Sequence, residues 1–324
     1  MTRKIALLQP VADEMMGIIR RLLPEGFSAE AVTGRTPEHL KATIADAEFA
    51  LWWDIPVTAD ILAAAPRLKL LHKWGVGIDN VDLVAARAQG VTVARTTGSN
   101  AVPVAEFAVG LMMALGRSIP RADASTKAGG WDKHGQWKRS RLIGGKTIGI
   151  IGFGAIGRMV AHRLAGFDAT LLYNSRRRAD AAEEASLGVA WRDLDALLAE
   201  SDIVTLHCPL TPETAGLIGA PQLARMKPGA LLINTARGGI VEEAPLVEAL
   251  RSGHLAGAAV DVFDVEPPPA DHPLLALDNV IVTPHCAASA YENSERSVRH
   301  WLSNIARAAR GEPIPERDLV QAGH

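Results

Sequence analysis

The chain has 324 residues, 48% of them hydrophobic, and its 34 Lys and Arg nearly cancel its 36 Asp and Glu to a formal charge of −2. That length suggests two domains of about 100 to 200 residues, each able to bury a core of its own. A near-zero charge gives no global field to gather nucleic acid or an anionic membrane, so any anion must be read by a local cluster.

The first residues, MTRKIALLQPVADEMM, meet Gln9 and Pro10 after a short apolar run, too short for a secretory h-region or a membrane span. A soluble, cytoplasmic protein is expected. Cys208 and Cys286 cannot make a disulfide framework, and neither stands in a zinc-ligand spacing, so no metal is expected.

In chain order, the first half reads as strand Ile5 to Leu8, helix Ala12 to Leu23, strand Phe49 to Trp53, helix Ala59 to Ala64 and strand Leu68 to Leu71. Helix Val81 to Gln89 and strand Val91 to Ala94 complete a small α/β unit by residue 99. Asn100 to Gly116 is nearly all apolar but holds Glu106, which predicts a buried helix covered by a neighbouring domain or subunit. Ala128 to Gly145 reads as an irregular connection.

A second series begins at Lys146. Its strands are Thr147 to Ile151, Thr170 to Tyr173, Ile203 to Leu206, Leu231 to Asn234, Gly257 to Val262 and Val280 to Val282. Helices fall between them, among them Arg158 to Ala165, Leu194 to Ala199 and Glu243 to Arg251. Six strands with helical crossovers predict an α/β fold with doubly wound parallel sheets. A last helix, from Ser289 to about Arg310, has no strand after it in this reading.

The first of these strands runs straight into Gly152-Phe153-Gly154-Ala155-Ile156-Gly157 and a helix. In such a strand–turn–helix setting the first glycine permits the tight turn and the second lets backbone approach a pyrophosphate. The third allows close helix packing, and the helix N-terminus supplies free N–H groups. The next strand normally ends in an acid that binds the adenosine ribose of NAD. Here it ends in Asn174, Ser175 and Arg176, followed by Arg177 and Arg178, which are expected to point to solvent. An amide, a hydroxyl and a guanidinium suit a 2′-phosphate, so NADP is preferred and NAD remains possible.

Three later segments place polar residues at strand ends, where open α/β sheets bind ligands: Leu231 to Gly239 with Arg237, Ala259 to Pro267 with Asp261 and Glu266, and Val280 to Ala288 with His285. Together with Trp74-Gly-Val-Gly77-Ile-Asp-Asn80-Val-Asp82, Asn100 with Val104-Ala-Glu106, GFGAIG, NTARGG at 234 to 239, DVFDVEP at 261 to 267 and PHCA at 284 to 287, the chain resembles the D-isomer-specific 2-hydroxyacid dehydrogenase family.

The resemblance implies two Rossmann-like or flavodoxin-like domains with the active site in the cleft between them. Residues 1–99 with 290–324 would form the substrate domain and residues 100–289 the dinucleotide-binding domain, usually assembled as a homodimer through the latter. It implies Arg237, Glu266 and His285 as catalytic residues. Cys208, Pro209, Thr235 and Ala236 would line the cofactor site, with His285 close by, and Asp261 would bind the nicotinamide carboxamide. Backbone N–H groups of Val76 and Gly77 would hold the substrate carboxylate.

The chemistry agrees with those residue types. Reducing a 2-oxo acid places negative charge on the carbonyl oxygen and needs a proton, which a histidine beside a carboxylate supplies near neutrality. An arginine fork suits the substrate carboxylate. Trp52 and Trp53 are expected to face the substrate. Phosphoglycerate dehydrogenases carry an Arg about where Trp52 falls and formate dehydrogenases a Gln where Glu266 stands. A small 2-oxo acid such as glyoxylate or hydroxypyruvate therefore fits best. D-3-phosphoglycerate or another D-2-hydroxy acid is the alternative within the family. A corepressor-like dinucleotide-sensing protein is the alternative of another class, although no partner-binding extension is expected outside the two domains.

Overall fold

Apolar runs of four to six residues separated by amphipathic segments can bury both faces of a strand only when helices cover both sides of a parallel sheet. The computed structural model, which describes residues 2–323, shows two such assemblies. One comprises the residues up to Asn100 together with those from Ser289 on, the other Ala101–Ala288.

The first unit begins with β1 (Arg3–Leu7), α1 (Asp13–Leu22), β2 (Phe27–Ala31), α2 (Pro37–Ile44), β3 (Phe49–Trp52), α3 (Ala59–Ala63), β4 (Leu70–Lys73), α4 (Leu83–Ala88) and β5 (Thr92–Arg95). Every residue of β3 and β4 is buried; β3 reads as an unbroken apolar run, whereas β4 begins with Leu70 and Leu71 and ends in the buried polar residues His72 and Lys73. β2 alternates half-buried and exposed residues at an edge, a pattern too weak to predict it.

The second unit contains α5 (Ala101–Gly116), α6 (Ile119–Lys127), α7 (Lys133–Arg139), β6 (Thr147–Ile151), α8 (Ala155–Leu164), β7 (Thr170–Asn174), α9 (Ala181–Leu187) and β8 (Val189–Trp191). It continues through α10 (Leu194–Glu200), β9 (Ile203–Leu206), α11 (Ala220–Arg225), β10 (Ala230–Asn234), α12 (Glu243–Arg251), β11 (Leu255–Val260), a 3-10 turn (Pro273–Ala276) and β12 (Val280–Val282). The chain then returns to the first unit as α13 (Tyr291–Ala309) and β13 (Leu319–Gln321).

The first sheet has the order β13-β5-β4-β3-β1-β2, parallel except for β13, which pairs antiparallel with β5. A strand thus does follow the last helix. It is three residues long, and its pairing partner lies more than 200 residues away, so no local pattern marks it. One face of this sheet packs under Leu40, Ile44, Ile61 and Leu62. The other packs under Met16 and Ile19 of α1 and Val298, Trp301 and Ile305 of α13.

The second sheet is wholly parallel in the order β12-β11-β10-β9-β6-β7-β8, seven strands rather than the six expected. The chain winds outward from β6 to one edge and then returns to continue from β9 to the other. A crevice between the carboxyl ends of β6 and β9 follows from that reversal.

Two expectations change here. The apolar helix α5 is covered by its own unit: Ala105, Ala108, Leu111 and Met112 pack with Ile148, Ile150, Val160 and Leu164 of β6 and α8. The stretch from Ala128 to Gly145 is not wholly irregular, because Asp132 accepts the Gly135 N–H and pairs with Arg139 at 3.0 Å, which caps and braces α7. Among the described residues no single helix is long and apolar enough to cross a membrane.

Candidate active site

The turn between β6 and α8 is shaped by three glycines under different pressures. Gly152 has φ +94°, and a Cβ there would lie 2.5 Å from Cys208 N and 2.6 Å from His207 C, against the end of β9. A Cβ at Gly157 would meet Gly152 O at 2.1 Å, so α8 rests directly on the strand. Gly154 differs from both. Nothing lies within 4 Å of its Cβ position, it stands at the N-cap of α8, and the first turn of that helix holds no acid. The residues therefore fit a pyrophosphate approaching an open backbone and a positive helix end.

Ala155 is exposed and Ile156 half-buried, whereas the ring of Phe153 is buried and stacked on Tyr173 with centroids 4.1 Å apart. Phe153 thus has only its backbone to offer. At the adenosine end, Asn174 donates to Arg192 O at 2.8 Å and Ser175 donates to Arg177 O. Arg176 and Arg177 are exposed. Arg178 is not simply solvated: it pairs with Glu184 at 2.8 Å, and Glu184 also accepts from the Tyr173 hydroxyl. Glu213 is held below its ordinary value by the Thr211 hydroxyl, its own backbone N–H and, less strongly, the charge of Arg176. Sequence reasoning missed that acid, although it sits in the loop after Pro209.

Burial pushes the Cys208 thiol up to about 11, so Cys208 offers the site a neutral, apolar surface. Pro209 is exposed. Thr235 is buried and its hydroxyl has no partner, as is Nδ1 of buried His207 at the end of the adjacent strand. A buried polar atom without a bond costs about 1–3 kcal/mol, which a bound polar ligand would recover. Ala236 is buried alongside.

Arg237, Glu266 and His285 follow β10, β11 and β12, three successive strands of one sheet. His285 Nδ1 donates to Glu266 Oε2 at 2.7 Å. That bond leaves Nε2 as the ring nitrogen for a reacting group. The bond to Glu266 raises the imidazole above its ordinary 6.5, against burial and the Arg237 charge, with smaller help from Asp261. Glu266 lies below its ordinary value: burial pushes it up, but His285, the Phe263 N–H and Arg237 together outweigh that. Arg237 donates to Ala236 O at 2.7 Å, and Asn234 donates to Arg237 O at 3.0 Å, which fixes the turn at both sides of the guanidinium.

Asp261 is fully buried. Its Oδ1 accepts the Thr283 hydroxyl at 2.6 Å and Cys286 N–H at 2.9 Å, its Oδ2 accepts Ala287 N–H at 2.9 Å, and its carbonyl accepts His285 N–H at 2.8 Å. These bonds hold His285 at φ +50°, a left-handed conformation uncommon outside glycine. What the structure gives Asp261 is an anchor for the histidine turn.

In the first unit, Trp52 departs from expectation. It is the last residue of β3, fully buried, and its Nε1 donates to Asn80 Oδ1 at 2.9 Å. Side chains alternate along a strand, so Trp53 points to the opposite face, where it packs on Trp74 at 5.0 Å. Lys73 is also buried: its ammonium donates to Asn80 Oδ1 at 2.9 Å and to Trp53 O. Asn80 donates back to the Trp53 and Asp54 carbonyls, and Asp82 caps α4. Between Lys73 and Asn80 lies the loop of Val76 and Gly77, entered at Gly75 with φ +138°. Among the described residues no group of three or more His, Cys, Asp or Glu is placed to hold a metal ion.

Known proteins resemble this chain in sequence and in fold. Residues 109–287 match the family model of the D-isomer specific 2-hydroxyacid dehydrogenase NAD binding domain. The chain is 39% identical over 320 residues to D-3-phosphoglycerate dehydrogenase of Archaeoglobus fulgidus, covering 96% of this chain and 58% of that protein. It spans about three-fifths of the length of the phosphoglycerate dehydrogenases it matches. Glyoxylate reductase of Korarchaeum cryptofilum is 42% identical over 265 residues, 80% of this chain and 79% of that one. The structure of NAD-dependent formate dehydrogenase from Staphylococcus aureus in complex with NAD superposes with a TM-score of 0.87 at 32% identity, covering 100% of both chains. The chain belongs to the D-isomer-specific 2-hydroxyacid dehydrogenase family.

Proposed function

We propose that the protein reduces a small 2-oxo acid, of the glyoxylate and hydroxypyruvate type, to the D-2-hydroxy acid with a reduced nicotinamide dinucleotide. The observation that carries this is the His285–Glu266 bond of 2.7 Å, with His285 raised above its ordinary value and Arg237 on the neighbouring turn. The dinucleotide, when bound, supplies the hydride. His285 protonates the oxygen that gains charge, through the nitrogen not engaged by Glu266. Glu266 stabilises the imidazolium and fixes its orientation. Arg237 binds the substrate carboxylate and polarises the carbonyl. Backbone N–H groups of Val76 and Gly77 are assigned to the carboxylate as well.

Residues 152–157, Asn174, Ser175, Arg176, Cys208, Pro209, Thr235 and Ala236 are assigned to the dinucleotide, Phe153 through its backbone. Any bond from Asp261 to the carboxamide would come in addition to its anchoring role. Arg176 without an acid at 174 supports a preference for NADP, tempered by Glu213. The unit of residues up to Asn100 and from Ser289 on is assigned to the substrate, and Ala101–Ala288 to the dinucleotide. Exposed Trp131 and Trp137 support self-association through the latter.

The phosphoglycerate dehydrogenases among the relatives favour a second reading, oxidation of a phosphorylated 2-hydroxy acid. Against it, neither Trp52 nor Trp53 brings a cation to that loop, and the Lys73 ammonium is buried beneath it. Purified protein assayed with NADPH and NADH against glyoxylate, hydroxypyruvate, pyruvate and phenylpyruvate, and with 3-phosphoglycerate in the reverse direction, decides between them. Turnover with the first two supports the proposal. Turnover only with 3-phosphoglycerate supports the second reading, and none at all points to a binding protein.

A further inference from the structure

The turns that carry Arg237 and Glu266 are tied together by a chain of polar bonds that the chemistry above does not use. Gly239, two residues after Arg237, donates its N–H to Oδ1 of Asp264. Asp264 donates its own N–H at 3.0 Å to Oε1 of Glu243, in the first turn of α12. The other oxygen of Glu243 lies 2.9 Å from Nε2 of His272. Nδ1 of His272 accepts the Leu274 N–H at 3.3 Å, so in this arrangement the ring proton sits on Nε2 and is donated to Glu243.

The same histidine reaches the Glu266 turn by a second route. Its ring stands edge-on to Phe263, with centroids 5.4 Å apart at 82°. Phe263 donates its N–H to Glu266 Oε1 at 3.1 Å, and its carbonyl lies so close to Gly238 that a Cβ there would meet it at 2.0 Å. The side chains of His272 and Glu243 are only 10% and 24% exposed. Asp264 is held above its ordinary value by burial, opposed by the Gly239 N–H and reinforced by the charge of Glu243. Partly buried charge is a poor way to gain stability, since apolar packing of similar volume serves as well. Its advantage is directional geometry.

We infer that Glu243 and His272 are positioning residues, which hold the Arg237 turn and the Glu266 loop in one register so that Glu266 stays on Nδ1 of His285. The inference rests on the assignment of Arg237, Glu266 and His285 as the reacting site.

The test uses the full chain with Glu243→Ala and His272→Ala, and with Glu243→Gln and His272→Asn as conservative partners. The His285 titration is followed by NMR, its signal assigned with His285→Gln, beside steady-state kinetics and melting temperature. In the alanine variants the His285 midpoint should fall toward its ordinary value as Glu266 loses its hold. kcat/KM for 2-oxo acid reduction should drop by up to about 100-fold, through kcat, with KM for the dinucleotide unchanged. Glu243→Gln should recover part of this, because its side-chain oxygen still accepts the Asp264 N–H. An unchanged midpoint and kcat/KM, with only the melting temperature lowered, overturns the inference. Should the alanine variants fail to fold, Glu243→Leu and His272→Phe, which keep volume but remove the polar bonds, take their place, and an unchanged midpoint in both overturns the inference equally. A wild type that turns over no 2-oxo acid sinks the functional reading alone, since the titration still decides this one.

Discussion

In the proposed reaction His285 must carry its proton, and Glu266, accepting from Nδ1, raises the imidazole so that it does. Reduction should therefore be fastest below the raised His285 value and decline as pH rises through it. Glu266→Gln removes the charge that raises it, so the decline should begin at lower pH, with kcat/KM near neutrality down about 100-fold. A pH profile of kcat/KM measures both, and an unshifted limb would show the pairing to be inoperative. Arg176→Ala should raise KM for NADPH and leave KM for NADH nearly unchanged; equal effects would remove Arg176 from the 2′-phosphate. At this scale the sequence singled out Arg237, Glu266 and His285 as candidates because each sits in a short motif just after an apolar strand. It did not reveal Glu243, Asp264 and His272, whose bonds span 21 to 29 positions and leave no local pattern. Trp52 and Trp53 were both expected to face the substrate, but neighbours along a strand point to opposite faces, and Trp52 is the one that is fully buried.

Among the elements, the β6–α8 turn separates structural from ligand-directed glycines. Gly152→Ala would place a methyl group within 2.5 Å of backbone on β9, at a positive φ, and should lower the melting temperature steeply or prevent folding. Gly154→Ala finds open space and an ordinary φ of −83°, so the fold should survive. Its methyl group would nonetheless stand where the pyrophosphate is expected, and dinucleotide KM should rise at nearly constant melting temperature. Thermal melts with and without dinucleotide distinguish the two; similar losses of stability would refute the division. The central strands of both sheets were readable because burial on both faces leaves mostly apolar residues, with polar ones such as His72, Lys73 and Asn234 at their carboxyl ends. β2, β8 and β13 lie at edges or are three residues long, and edge strands keep polar residues on one side.

Across the whole molecule, buried neutral histidines set the acid limit. His72 donates from Nδ1 to the Lys73 carbonyl at 2.9 Å and accepts from Asn304 at 3.0 Å, and burial pushes it down to about 3. His207, in the other unit, is likewise pushed down to about 3 by burial. Both folded values lie below the unfolded 6.5, so the folded chain binds fewer protons. This stability is complete above about pH 6.5 and is lost below it at about 1.4 kcal/mol per pH unit for each histidine. Denaturant unfolding at pH 7.5, 6 and 5 should show that slope, shallower in His72→Gln; a flat profile would contradict it. Asn304 also donates to Asp318 at 3.1 Å, as does His300 at 2.7 Å, and Asp318 accepts the Thr97 N–H, so α13 and the start of β13 are bound to the first unit through one buried cluster. That return of the chain has a consequence during synthesis. Residues Ala101–Ala288 are continuous and can complete their sheet as they leave the ribosome. The first hundred residues emerge earlier but wait for α13 to cover one apolar face and for β13 to close the edge of β5. In that interval the nascent chain carries a finished second unit behind an unfinished first one, and its exposed strand edge and apolar face are open to chaperones or to another nascent copy.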